Sequence, residues 1–265
     1  MSLCLCVFVC LCVCVFVSLC LFVFVSLCLC VFVSLCLFSQ SIESFHEALK
    51  LFESLEDDNG ISVCFENLGE SYMKLGEIDA AIEAYERCLL IKTELWDKVG
   101  QAQCLDALGL AYYSKGDFKG AAQCYEKSIT LWRAEGDKSA LMACCEALGG
   151  ANFQLGEHVR SIECYVQFLT LSHEVGEGGA ISQDIGDGAQ ILLRLGISNS
   201  AIGEYPVSIE FLDQALSYYV ELGDIKSRAV CLQHLGAAKG RNGDFEGGLK
   251  DLEQVRLDHF RFGHL

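Results

Sequence analysis

Along residues 62–75 the apolar side chains Val63, Phe65, Leu68, Tyr72, Met73 and Leu75 return at three- and four-residue intervals. That period predicts a helix packed on one side. Glycine closes the stretch at Gly76, and a second apolar run opens at Ile82, so the segment reads as two helices joined by a tight turn. The same grammar returns about every forty residues. Leu68-Gly69 comes back as Leu108-Gly109, Leu148-Gly149, Leu195-Gly196 and Leu235-Gly236, and each pair is followed seven residues later by Gly76, Gly116, Gly156, Gly203 or Gly243. A period of this length predicts a stacked array of two-helix units, none of which buries its apolar face without a neighbour. The glycine after each leucine lets two helices approach closely, and the later one caps the first helix in the left-handed conformation. The only proline, Pro206, falls where a missing amide donor is harmless, in the first turn of a second helix.

Residues 66–91, ENLGESYMKLGEIDAAIEAYERCLLI, resemble the tetratricopeptide repeat (TPR) through Leu68, Gly69, Tyr72, Gly76, Ala81 and Tyr85. The next unit keeps Leu108, Gly109, Tyr112, Gly116, Ala121 and Tyr125, and the third keeps Leu148, Gly149, Gly156, Ser161 and Tyr165. The last two units keep Leu195, Gly196, Gly203 and Leu235, Gly236, Gly243. They place Asn199 and Lys239 at the first aromatic position and Leu212 and Leu252 at the second. The forty-residue period, with Gly136-Asp137 and Gly223-Asp224 between units, is similar to the subgroup around LGN/Pins and rapsyn, which are adaptors. The resemblance implies an all-α TPR helix-hairpin solenoid, a right-handed superhelix of about five and a half units over residues 39–265. It does not carry a ligand with it.

Residues 1–38 are a different object: a low-complexity, apolar segment of Leu, Val, Cys, Phe and Ser in which VFVSLCL recurs at Val15, Val23 and Val31. All five residue types have codons built from T, G and C alone, so the segment reads as a translated simple repeat that overwrites the helix expected before 41–52. The competing reading is a membrane span. A single helix of this run would reach roughly 54 Å against about 30 Å of hydrocarbon, and neither end carries Lys or Arg. The array's period is broken once, by a glycine-rich acidic connector over 174–189 that matches neither a phosphate loop nor an EF-hand.

Of seventeen cysteines, nine lie in the odd segment. Cys64, Cys104 and Cys144 are one period apart, as are Cys124 and Cys164, which marks them as small core residues. No spacing in the array fits a metal site, no cofactor motif is present, and the six histidines form no nucleophile arrangement, so neither metal, cofactor nor catalysis is expected. Free thiols suit a cytoplasmic protein. The net charge of −17 belongs wholly to the array and argues against nucleic acid as partner.

The face expected to line the groove comes from the first helix of each unit. Glu66, Glu70, Asp106 and Glu146 place acid there in early units, and Arg194, Lys239 and Arg241 place base there in later ones, with Met73, Leu110, Tyr113, Phe153, Leu193 and Ile197 as apolar contacts. The expected function is a scaffold that holds a peptide or helix of a partner protein, oriented by this field. The Lys and Asn clamp of chaperone-tail binders is not matched, since Glu66 and Glu70 flank Asn67. Alternatives are a self-associating structural protein, driven by sticky terminal helices over 41–52 and 245–260, and a membrane-tethered receptor if residues 1–38 are a genuine span.

Overall fold

The computed structural model describes residues 36–175 and 185–262, all of whose regular structure is helical. Most of the 1–38 segment, the 176–184 part of the connector and residues 263–265 lie outside the described residues. The architecture is an array of helix hairpins, as the glycine and leucine recurrences predict.

Two compact units divide the chain, 1–95 and 96–265. The described part of the first holds α1 (36–54), α2 (Asp58–Leu75) and α3 (Ile78–Glu94). The second holds α4 (Lys98–Lys115), α5 (Phe118–Glu135), α6 (Lys138–Leu155), α7 (His158–Val175), α8 (Ile185–Ile202), α9 (Tyr205–Leu222), α10 (Ile225–Arg241) and α11 (Phe245–Phe262). Helix α8 thus begins within the stretch expected as connector and takes in 185–189.

The hairpins form because two kinds of glycine do different work. Gly109 sits against the ring of Tyr125, where a Cβ would lie 2.6 Å from Cε1, so only glycine lets α4 and α5 approach this closely. Gly69 with Tyr85, Gly149 with Tyr165 and Gly196 with Leu212 repeat the arrangement, which explains how Leu212 can stand in for the aromatic. Gly116 does the other job: it ends α4 at φ 85°, and its amide bonds the Tyr113 carbonyl. Pro206 lies in the first turn of α9.

Most helices start on an aspartate. Asp57, Asp97, Asp117, Asp137, Asp224 and Asp244 each accept a backbone N–H from the following turn, at 2.9–3.1 Å. Each such cap is worth about 1 kcal/mol. Part of the large negative charge is therefore structural.

In the second unit the first helices of successive hairpins touch one another, α4 with α6, α6 with α8 and α8 with α10, while the second helices make no comparable contact among themselves. Helices α4, α6, α8 and α10 therefore form the inner layer of this unit, and α5, α7, α9 and α11 the outer one. The core between the layers runs through Tyr125, Trp132, Cys145 and Leu148 in the earlier hairpins. Leu192, Leu212, Ala215, Tyr219 and Leu235 continue it in the later ones, and Tyr165, Ile191 and Leu195 bridge α7 and α8. The described cysteines of the array are thiols outside any disulfide, all buried except the half-buried Cys164.

Candidate functional site

Of the repeat positions, Leu68, Leu108, Leu148, Leu195 and Leu235 are buried, as are Ala81, Ala121, Tyr85, Tyr125 and Tyr165. Tyr72 and Tyr112 are half-buried. Asn152, at the same position, is buried and donates to Cys164 Sγ at 3.8 Å.

The candidate groove residues divide between the two units. In the first, Glu66 and Glu70 are exposed on α2 and Met73 is half-buried. In the second, the inner helices present Leu110, which is 54% exposed, with half-buried Tyr113, Glu146, Phe153, Arg194 and Ile197, and exposed Arg241 in the last turn of α10. Tyr113 meets Phe118 edge-on at 5.1 Å. Phe153 lies between the His158 ring, 6.1 Å away, and the Arg194 guanidinium at 5.9 Å.

Three of the expected groove residues have other work. Leu193 is buried in the core shared by α8, α9 and α10 and offers no surface to a ligand. Asp106 is half-buried and accepts two hydrogen bonds, from Trp132 Nε1 at 2.8 Å and from Cys144 Sγ at 2.9 Å, so it ties α4 to α5 and α6. Burial raises the Cys144 thiol pKa well above its ordinary value, and the Asp106 bond adds to the effect, so Cys144 is a donor there and not a nucleophile. Lys239 forms an ion pair with Asp251 at 2.8 Å, both side chains at least four-fifths covered. The pair occupies the two positions filled by Asn152 and Cys164 in an earlier hairpin. The acidic-to-basic field expected of the groove is therefore reduced in this unit to Glu146, Arg194 and Arg241.

Arg194 is the best-defined member of the site. From α8 it crosses α6 at Gly150, where a Cβ would come within 3.1 Å of Nη1, and donates to Tyr165 Oη at 3.0 Å. Burial pushes the Tyr165 hydroxyl up to about 12, with the guanidinium pulling it back, so the hydroxyl is neutral at physiological pH. Sequence reading singled out Arg194 but missed Gly150, whose absent side chain makes room for it. It also missed His234, which follows Arg194 by one period on α10. Register alone could have found His234; Gly150 is visible only as a glycine where the preceding unit has Leu110.

Among the described residues no group of His, Cys, Asp and Glu is placed to hold a metal ion, and no helix is long and apolar enough to cross a membrane. The site offers apolar contact, aromatic rings and fixed charge, which is the chemistry of holding a polypeptide.

Comparison with known proteins bears on the fold. Residues 62–134, spanning α2 to α5, match the tetratricopeptide repeat family. No curated protein sequence matches the chain. Among solved structures, BtubC (BKLC) from P. vanneervenii is similar at 17% identity, with a TM-score of 0.62, over 86% of this chain and 93% of that one. A putative kinesin light chain of nearly identical TPR-like repeats from Podosopora anserina is 18% identical, with a TM-score of 0.59, over 76% and 95%. MamA from Desulfovibrio magneticus RS-1 gives 14% and 0.59, over 76% and 96%. At these identities the likeness is one of fold: an all-helical array of TPR-like hairpins.

Proposed function

We propose that the protein is an interaction scaffold that holds a peptide or helix of another protein on the layer of first helices. The observation that carries the reading is the exposed inner face of the second unit. There Leu110, Tyr113 and Phe153 supply apolar contact beside the charges of Glu146, Arg194 and Arg241. A half-apolar strip with a few fixed charges suits recognition of a segment whose side chains alternate between anchor and register. The resemblance to the LGN/Pins and rapsyn subgroup supports an adaptor role in the cytoplasm, and the excess of carboxylates supports a protein in place of a nucleic acid as partner.

The test is affinity capture with the full chain against the same chain carrying Leu110→Arg and Arg241→Glu, two exposed positions whose replacement leaves the core intact. Partners lost from the variant, at unchanged helical content, support the reading. Identical partners from both chains would refute it.

A second reading, self-association, is favoured by one observation. Helix α11 exposes Phe245, Leu249, Leu252 and Leu257, while Leu212, the α9 counterpart of Leu252 one period earlier, is fully buried. In that case capture recovers only the chain itself.

A further inference from the structure

Helices α5, α7 and α9 each pack between two inner helices, whereas among the described residues α11 makes a contact of that extent with α10 alone. The consequence shows position by position. Tyr125, Tyr165 and Leu212 are buried, and Ala122, Ile162 and Ile209 are buried or half-buried, but their equivalents on α11, Leu252 and Leu249, are 43% and 61% exposed. Apolar surface left bare on a helix favours burial against something else. The charges beside it say what fits.

Two rows run along this face of α11. Phe245, Leu249, Leu252 and Arg256, spaced as one helical stripe, form the first, and Glu246, Lys250 and Glu253 form a second beside it. All of them are exposed. The pattern is complementary to itself when turned end for end about a point near Asp251. A second α11 laid antiparallel in that register sets Leu249 of each copy against Leu252 of the other at the centre. Toward each end Arg256 meets the Phe245 ring and Glu246, a cation–π contact beside an ion pair. Lys250 meets Glu253 along the edge. A parallel arrangement would set every charge against its own copy, so the charges select the antiparallel one.

We infer that α11 is the contact between two copies of this chain, antiparallel and centred near Asp251. Two-fold symmetry makes each of these pairs occur twice and closes the assembly at two copies. The inference rests on the exposed α11 that favours self-association, and adds the surface, register and stoichiometry. It does not require the groove to be idle, because α11 is an outer helix and the candidate groove residues lie on first helices.

The test is sedimentation equilibrium of the full chain over about 1–100 µM, the range expected of a contact at the small end of specific interfaces. The native chain is expected to pass from one copy to two and no further. Leu249→Asp, at an exposed position, should keep it single with helical content unchanged. Lys250→Glu and Glu253→Lys should each weaken the dimer by about 3- to 30-fold, because each change is felt at two symmetric pairs. An equimolar mixture of these two variants should recover it, since the altered charges are then opposite across the pair. That recovery separates a lost contact from a damaged helix. A chain that stays single throughout would leave α11 to a different protein and overturn the inference. Association untouched by Leu249→Asp, growth beyond two copies as a head-to-tail contact with α1 would give, or a mixture no tighter than either variant alone would overturn it equally. None of these substitutions lies on an inner helix, so the groove reading stands or falls by its own capture experiment.

Discussion

Replacing Gly109 by alanine tests the packing rule on which the whole array is built. The new Cβ would lie 2.6, 2.7 and 2.9 Å from Cε1, Cζ and Cδ1 of Tyr125, far inside van der Waals contact. The ring cannot swing clear, because Tyr125 is only 5% exposed and packs among Ala121, Ala122, Ile129 and Trp132. Overpacking of this kind costs about 1–3 kcal/mol, and alanine's better helix propensity returns about 1 kcal/mol. With a 2.6 Å approach to an immobile ring the cost falls in the upper part of that range, so the net expectation is a loss of about 1–2 kcal/mol, or a thermal midpoint lower by about 2–8 °C for a chain of this size. Gly240→Ala is the control. It also sits within a helix, α10, but a Cβ there meets nothing within 4 Å, so only the propensity gain of about 0.5–1 kcal/mol remains. Urea unfolding of both variants, followed by circular dichroism, reads the two signs in one series. A Gly109→Ala chain as stable as the native one, or a Gly240→Ala chain that loses as much, would refute the claim that the leucine-glycine pairs exist for helix contact.

Lys239→Met leaves Asp251 without its cation in a largely covered site and should cost about 1–3 kcal/mol, whereas Lys239→Met with Asp251→Leu should return to within about 1 kcal/mol of the native chain, both measured by urea unfolding. Burial lowers the pKa of His234 below its ordinary 6.5. As pH falls through 6.5 the unfolded chain takes up the proton first, so stability drops until the lower folded pKa is passed; stability curves across pH should lose that step in His234→Gln. Burial holds the Cys164 thiol at about 11 and Cys231 at about 12, so iodoacetamide should label exposed Cys36 in the native chain and reach these two only on unfolding, as peptide mapping would report.

The fold was legible in the sequence because its determinants are local and repeated. A leucine-glycine pair and a second glycine seven residues on specify a hairpin within one unit, and the pattern survives the change from Tyr125 and Tyr165 to Leu212 because the contact needs bulk and not an aromatic ring. The aspartate caps were equally legible and were overlooked: Asp57, Asp97, Asp117 and Asp244 are each followed by glycine three positions on. The site was legible in part. Register placed Leu110, Tyr113, Phe153 and Arg194 on the inner layer, but whether a charge there is available depends on neighbours far along the chain. Asp106 meets Trp132 and Cys144 across the hairpins, and Lys239 meets Asp251 in the following helix. Leu193 misled for a different reason. Helix α8 is apolar over Ile191, Leu192, Leu193 and Leu195, so periodicity gives no single inward face, and the core takes all four.

The most direct test of the scaffold is to place a photo-reactive benzophenone side chain at position 110, on the inner face of α4, and in a second chain at position 166, exposed on the outer helix α7. Irradiated in cells, the first should capture a partner protein that the second does not. Capture at position 166 and not at 110, or cross-links at 110 to the chain itself alone, would contradict the assignment of the inner layer as the binding face.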